Sequence, residues 1–470
     1  MIAGLAGDSG KTTLSLALLR AWRRQGVAVR PFKKGPDYID AAWLSWAAGQ
    51  QARNLDTYLM GAATATQAFV RNALRGGINL IEGNRGLFDG FDNAGAHSTA
   101  ALAKLLRAPV VLVVNAAKVT RTAAALVLGC QKLDPELELA GVILNRVNGV
   151  RHEQMLRACI EQSCGIPVLG AAPKVGTGEL VPGRHLGLIT PEEHRTDAAL
   201  DACLERIAAA IDLQRLAQIA HSAPPLPPQQ AKIGLAGDPS LPPAEIDFCE
   251  LPSAHGVKIG FLKDSAFTFY YPENLEALER AGAELVPVSS LAAMELPGGL
   301  DALYIGGGFP ETHGERIAAN TGFLASLRAA AQGGLPVYAE CGGLMLLARA
   351  MTWQGRKYEM AGVLPFEVDV GSTPAGHGYA ELLVDAANPF FPTGVRLRGH
   401  EFHYSRVVTE DKLPATACSV LRGKGCYGRR DAVIAGNVWA SYTHLHAAAT
   451  PEWAKGLISA ALRRRTQAAG

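Results

Sequence analysis

The sequence predicts an α/β protein in two linked parts, and three observations predict it. Short apolar runs ending in glycine-rich or acidic turns alternate with helical apolar patterns through the first two hundred or so residues, as in a parallel, doubly wound sheet. The first turn, Gly4-Leu5-Ala6-Gly7-Asp8-Ser9-Gly10-Lys11-Thr12-Thr13, is a phosphate-binding loop opening into a helical pattern of Leu14, Leu16, Leu18, Leu19 and Trp22. A second strand series starts at Val257, after a stretch from His221 to Gln230 whose prolines sustain neither helix nor central strand. The expected organisation is a nucleotide-binding domain over 1–215, a linker over 216–256 and a second α/β domain over 257–470.

Composition narrows the function. A hydrophobic fraction of 48% with 19% charged residues is that of an ordinary globular protein. A net charge of +2 gives no field that would select nucleic acid or an anionic membrane. No apolar run approaches the roughly 18 residues of a membrane helix, and the start lacks a signal-peptide pattern. Eight dispersed cysteines (130, 159, 164, 203, 249, 341, 418, 426) show no CxxC pair, so reduced thiols in a cytoplasmic enzyme are expected, with packing roles for all but Cys341.

In the phosphate loop, Leu5 stands where the common spacing has its first glycine, and Gly4 lies one residue earlier. The working parts remain. Gly4, Gly7 and Gly10 let backbone N–H groups face an anion, Lys11 reaches terminal phosphates, and Thr12, followed by Thr13, offers a hydroxyl to Mg²⁺. Only Met1 to Ala3 precede the loop, short for the strand that should lead into it, so a start further upstream is expected.

A helix to about Gln25 and a strand over Val27 to Phe32 lead to Lys33-Lys34-Gly35-Pro36-Asp37-Tyr38-Ile39-Asp40. Asp37 and Asp40 behind two lysines suit a metal and an anionic substrate; a solvated polar loop would show the same residues. Glu82 ends a strand before the glycine-rich Gly83-Asn84-Arg85-Gly86, where phosphate-loop folds place the acid that completes a Mg²⁺ site. Further strands are expected at Val110 to Asn115, Gly141 to Asn145 and Pro167 to Gly170, with helix from about Pro191 to Ala220. Asn145 is placed to hold a base or ribose, or to cap the next helix.

In the second half, Val257 to Phe261 is a strand and Phe267 to Asn274 an aromatic loop into a helix. A strand from Leu300 ends in Gly306-Gly307-Gly308, whose N–H groups can face an oxyanion. Leu335 to Leu347 reads as strand, sharp turn and helix around Glu340-Cys341-Gly342-Gly343, an elbow that presents a nucleophile. Cys341 is the candidate, with the Gly342 amide as an oxyanion donor; a buried structural cysteine is the other reading. A thiol needs a base, and His400, His403, His444 and His446 are the candidates.

Taken together and in this order, GLAGDSGKTT, KKGPDYID, ARNLD, IEGNRGLFDG, GVILNRV, FTFYYPENLEAL, DALYIGGGFPE, AECGGLMLL, GHGY, GHEFHYS and ASYTHLH resemble the cobyrinate a,c-diamide synthases, glutamine-dependent amidases of corrinoid synthesis. The resemblance spans nearly the whole chain. It implies an N-terminal ATP-binding domain like dethiobiotin synthetase and a C-terminal class I glutamine amidotransferase domain. It implies further that Cys341 attacks glutamine, with His444 as its activating histidine. Where class I enzymes carry His-x-Glu, this chain has His446, so a Cys-His dyad is implied and no triad acid is named.

By the same resemblance, ATP at Lys11 and Thr12, with Mg²⁺ on Thr12, Glu82 and one of Asp37 or Asp40, phosphorylates a substrate carboxylate. Ammonia then reaches the acyl phosphate by a path shielded from solvent. The implied partners are small molecules, a tetrapyrrole polycarboxylate and glutamine, with neither nucleic acid nor membrane, and a homodimer is compatible with the sequence. Asp37, Tyr38, Asp40 and Arg85 are the expected substrate contacts, Arg85 because its guanidinium can clamp a carboxylate and stands where apolar residues are frequent. Hydrogenobyrinate or nickel sirohydrochlorin would be amidated by the same motifs. A scaffold ATPase with a non-catalytic amidotransferase-like domain is the rival of another class.

Overall fold

The computed structural model describes residues 1–174, 183–184, 187–193, 198–226, 251–409 and 414–469. The chain divides into two compact units, Met1–Ile246 and Asp247–Gly470.

The first unit is built on a seven-stranded parallel sheet of β1 (Ile2–Gly4), β2 (Val29–Lys34), β3 (Arg53–Leu55), β4 (Ile78–Glu82), β5 (Val110–Asn115), β6 (Leu139–Val147) and β7 (Val168–Pro173), in the order β3-β2-β4-β1-β5-β6-β7. β1 stands beside both β4 and β5, the point where strand order reverses and where such sheets bind ligands at the strand carboxyl ends. Its apolar strands are buried on both faces, and Val110, Leu112, Val114, Val142 and Leu144 join the helices around them in one core.

β2 begins two residues later than the hydrophobic run suggests. Gly26 turns left-handed (φ 74°), and the Val27 amide bonds back to the Trp22 carbonyl to close helix α1 (Lys11–Arg24). At its far end the strand continues through Lys33 and Lys34, which pair in register with Asn54 and Leu55 of β3. The helical stretch expected over 191–220 is broken. Helices Ala198–Ala209 and Leu213–His221 flank Ile211, which bridges Gly170, and Asp212 caps the second helix through the Arg215 amide. That second helix runs into the segment expected as linker; most of the remainder, with Cys249, lies outside the described residues.

In the second unit, strands Glu284–Val288, Lys258–Leu262, Ala302–Ile305, Val337–Glu340 and Val438–Ser441 lie parallel in that order. The same sheet then continues antiparallel through Arg430–Ala435, Thr416–Arg422, Gly376–Val384, Arg396–His403 and the two-residue strand His444–Leu445. A buried aromatic cluster of Tyr304, Tyr338, Trp439 and Trp453 anchors the closing helix Glu452–Ala469 under the parallel strands. Among the described residues no helix is long and apolar enough to cross a membrane.

Candidate active sites

In the first unit, β1, β2 and β4 end side by side and bring together residues far apart in sequence. The loop after β1 turns through left-handed Asp8 (φ 53°) and Gly10 (φ 93°), so Gly10 caps α1 and Lys11 starts it. Lys11 is buried, its Nζ donating to the Ala6 carbonyl at 2.9 Å; burial, then the neighbouring Lys33, lowers its pKa. Thr12 Oγ1 donates to Glu82 Oε1 at 2.8 Å. Lys33 Nζ donates to the same Glu82 oxygen at 2.7 Å and to Asp40 Oδ2 at 2.6 Å. Burial works against the Lys33 charge, yet Asp40, Glu82 and Asp37 around it more than offset that and hold the ammonium above its usual range. Burial likewise raises Glu82, with Lys33 pulling the other way.

Asp37 and Asp40 differ in what they can do. Asp37 is the N-cap of helix α2 (Tyr38–Ala48), its Oδ1 accepting from the Asp40 amide at 2.7 Å, and burial, then Asp40, pushes its pKa up to about 7. Asp40 instead meets Lys33 and, through it, Glu82. For a hard cation the oxygen set is therefore Thr12, Glu82 and Asp40. Glu82 Oε2 is buried with no hydrogen-bond partner, which fits a site completed by a cation. No group of three or more His, Cys, Asp or Glu side chains stands in metal-binding geometry among the described residues, so such a cation would rest on two acids, a hydroxyl and its nucleotide.

Asn145 contacts the loop itself. Its Nδ2 donates to the Ser9 carbonyl at 2.9 Å and its Oδ1 accepts from the Arg146 amide, so the side chain braces the phosphate loop. Gly10 admits it, since a Cβ there would come within 2.0 Å of Asn145 Nδ2. Gly4 is held by the same logic against Ser9, while Gly7 borders open space. Thr13 lies in the first turn of α1 and Tyr38 in that of α2. Arg85 is exposed and left-handed (φ 50°), close enough to buried Lys34 to disfavour its charge alongside burial, Asp56 pulling the other way.

The second unit has its own cluster. Cys341 sits at the elbow with φ 49° and ψ −99°, a strained conformation for a residue bearing a Cβ, followed at once by a helix from Gly342. Its amide donates to the Ser441 carbonyl at 2.7 Å, which ties the elbow to the strand leading to His444. Burial, then the carboxylates Glu311 and Glu340, raises the thiol well above its usual range, with the Gly342 amide opposing. His444 packs on the glycine turn: a Cβ on Gly307 would come within 2.5 Å of its Cε1. A Cβ on Gly342 would lie 3.1 Å from the Gly308 nitrogen, so the elbow and the glycine turn touch.

Of the other candidate histidines, two face other groups and one packs on His444 itself. His403 stacks on Tyr442 at 3.7 Å between centroids, and His446 faces Glu273 at 3.5 Å. His400 stacks on His444 (5.0 Å, 20°); burial, then His444 and His446, hold it neutral with a pKa well below the usual value.

Three residues behind this cluster had no distinguishing signal except position. Asp431, fully buried, accepts from Ser441 and Thr443 hydroxyls and from the Tyr442 amide, fixing the turn before His444. Asn274 grips the Leu445 carbonyl and the Ala447 amide beyond it. Glu340 accepts from Tyr304 Oη at 3.1 Å and the Leu445 amide at 3.1 Å, and its Oε2 lies 3.5 Å from His444 Nδ1. Asn274 and Glu340 lie inside the segments FTFYYPENLEAL and AECGGLMLL, while Asp431 lies in none of them.

Both units match known families. The model of the CobQ/CobB/MinD/ParA nucleotide binding domain matches residues 1–181, and that of the CobB/CobQ-like glutamine amidotransferase domain matches residues 258–452. The cobyrinate a,c-diamide synthase of Magnetococcus marinus is 41% identical over 96% of this chain and 95% of its own length. That of Syntrophotalea carbinolica is 38% identical over 97% of each chain, and that of Salmonella typhimurium 36% over 98% of each. With a phosphate loop joined to an acid and lysine cluster in one unit and a cysteine elbow beside a histidine in the other, the chain belongs to the cobyrinate a,c-diamide synthase family.

Proposed function

We propose that this chain uses ATP and glutamine to convert the a and c acetate carboxylates of cobyrinate to amides. The observation that carries the ligase half is the joining of Thr12, Lys33, Asp40 and Glu82 at the strand ends beside the phosphate loop. A carboxylate is a poor electrophile. Transfer of the γ-phosphoryl group to its oxygen forms a C–O–P bond as the bond to ADP breaks, and ammonia then displaces phosphate from the acyl carbon. Loop amides and Lys11 would hold the phosphates, and Lys33 would offset charge gathering on the transferred group. Thr12, Glu82 and Asp40 would hold Mg²⁺, which neutralises phosphate charge when bound. Asp37 caps the helix that carries Asp40, and Asn145 braces the loop. Tyr38 and Arg85 are assigned to substrate, Arg85 as a carboxylate clamp.

In the other unit Cys341 attacks the glutamine carboxamide. As the S–C bond forms, the thiol proton passes to His444 and the carbonyl electron pair moves to oxygen, facing the amides of Gly307, Gly308 and Gly342. The C–N bond then breaks, the proton leaves on ammonia, and water hydrolyses the thioester to glutamate.

Mass spectrometry after incubation with ATP, Mg²⁺ and glutamine tests the reading. Each exchange of OH for NH₂ lowers the mass by about one unit, and two steps are expected on cobyrinate. Two steps only on hydrogenobyrinate or nickel sirohydrochlorin would move the substrate, and none on any would sink the ligase reading. Arg85→Ala should raise the KM for the tetrapyrrole about tenfold; an unchanged KM removes Arg85 from the site.

A further inference from the structure

We propose that Glu340, the residue immediately before the nucleophile, is the carboxylate that orients His444 for glutamine hydrolysis. The proposal rests on the assignment of Cys341 and His444 above. In a cysteine-histidine pair, a third group that accepts from the far ring nitrogen fixes which nitrogen carries the proton and steadies the imidazolium. The expected source, two residues after the histidine, is here His446, and that ring is turned to Glu273. The chain has instead moved the acid to the neighbouring parallel strand.

Three observations support this. Glu340 ends strand Val337–Glu340 and pairs with Ser441 of the neighbouring strand, three residues before His444. The carboxylate is fully buried and aimed: Tyr304 Oη donates to Oε2 and the Leu445 amide to Oε1, leaving Oε2 3.5 Å from His444 Nδ1. At that separation Nδ1 makes no hydrogen bond to Glu340 here, and catalytic hydrogen bonds of this kind tighten when substrate closes a site. His400 stacks on the His444 ring from its own strand, so the imidazole is confined by a ring and a carboxylate while Gly307 leaves room at Cε1. A proton on Nδ1 would face Glu340, and Nε2 would then be the nitrogen that takes the Cys341 proton.

Glutaminase activity of the full chain would be measured for Glu340→Gln, Glu340→Asp and Cys341→Ser. In the Gln variant the amide oxygen can satisfy the Leu445 amide, which turns the NH₂ toward His444 and Tyr304 and favours the wrong tautomer. The expected result is a kcat lower by about 10²-fold or more with KM within about twofold, an unchanged thermal midpoint, and at least about tenfold recovery in the Asp variant, which restores the charge. A folded Gln variant with kcat within about threefold of the parent, or equal losses in Gln and Asp, overturns the proposal. If Cys341→Ser keeps glutaminase activity, the underlying assignment fails instead. A measurement on the unmodified sequence decides independently of variant folding: ¹⁵N-histidine NMR should show the His444 proton on Nδ1, and a proton on Nε2 alone would overturn the role of Glu340.

Discussion

Thr12 and Glu82, seventy positions apart, meet through a 2.8 Å hydrogen bond from hydroxyl to carboxylate. The bond joins the helix after the phosphate loop to the end of β4, and Lys33 of β2 donates to the same carboxylate oxygen. Glu82 is therefore expected to serve the ATP half alone. Glu82→Gln should lower ATP-dependent amidation about 10²-fold or more while glutaminase activity stays intact. ADP release and glutamate release, followed in parallel, check this; an equal fall in both would contradict it.

Lys33 is buried between two carboxylates. Removing it strands their charge, so Lys33→Met should cost about 3–5 kcal/mol of stability. Urea unfolding reads the loss. Mg²⁺ should restore part of it in the variant, because the same oxygens then face a cation; no effect of Mg²⁺ would argue against the proposed ligand set.

Gly307→Ala tests the packing of His444. The added Cβ would sit 2.5 Å from the ring's Cε1, so the imidazole must shift. A kcat loss of at least about tenfold is expected in glutaminase assays if His444 is the proposed base, since small misplacements of a reacting group are costly.

Asp431 gathers Ser441, Tyr442 and Thr443 around one buried carboxylate. Asp431→Ala leaves those donors unsatisfied and should destabilise the fold by about 3 kcal/mol or more, with the Asn variant losing less. Thermal or urea denaturation distinguishes the two. A loss smaller than about 1 kcal/mol would mean that water or neighbouring groups replace the carboxylate.

The Cys341 thiol has its pKa raised by burial, Glu311 and Glu340. Without glutamine it is mainly protonated at neutral pH, so alkylation by iodoacetamide, followed by peptide mass spectrometry, should be slow at pH 7.5 and still rising above pH 9. A plateau near neutrality would show a preformed thiolate. The sign for stability follows: the folded state holds this proton where the unfolded chain releases it, so the contribution is full below the ordinary thiol pKa and is lost as pH rises toward the folded value.

Much was legible in the amino-acid order because local chemistry suffices for it. Glycines before Lys11 and after Cys341 mark the two βα turns, and apolar runs ahead of them mark the strands, since backbone geometry and burial act within a few residues. Lys11, Thr12, Glu82, Cys341 and His444 stand in such segments. Strand limits were less legible: Val27 reads as strand but closes a helix, and Lys33 and Lys34 read as loop but pair with β3.

Tertiary structure alone decided which polar groups meet. Asp37 and Asp40 are indistinguishable acids in the sequence; one caps a helix and the other faces Lys33 because they occupy successive sides of the same turn. Four histidines look alike in the sequence, and sheet order then packs His444 on Gly307 and turns His446 to Glu273. Glu340 reads as a polar flank of the cysteine until strand pairing brings it to His444. Ion pairs and hydrogen bonds act over about 3–4 Å, and only the folding of strands past one another brings side chains a hundred residues apart within that distance.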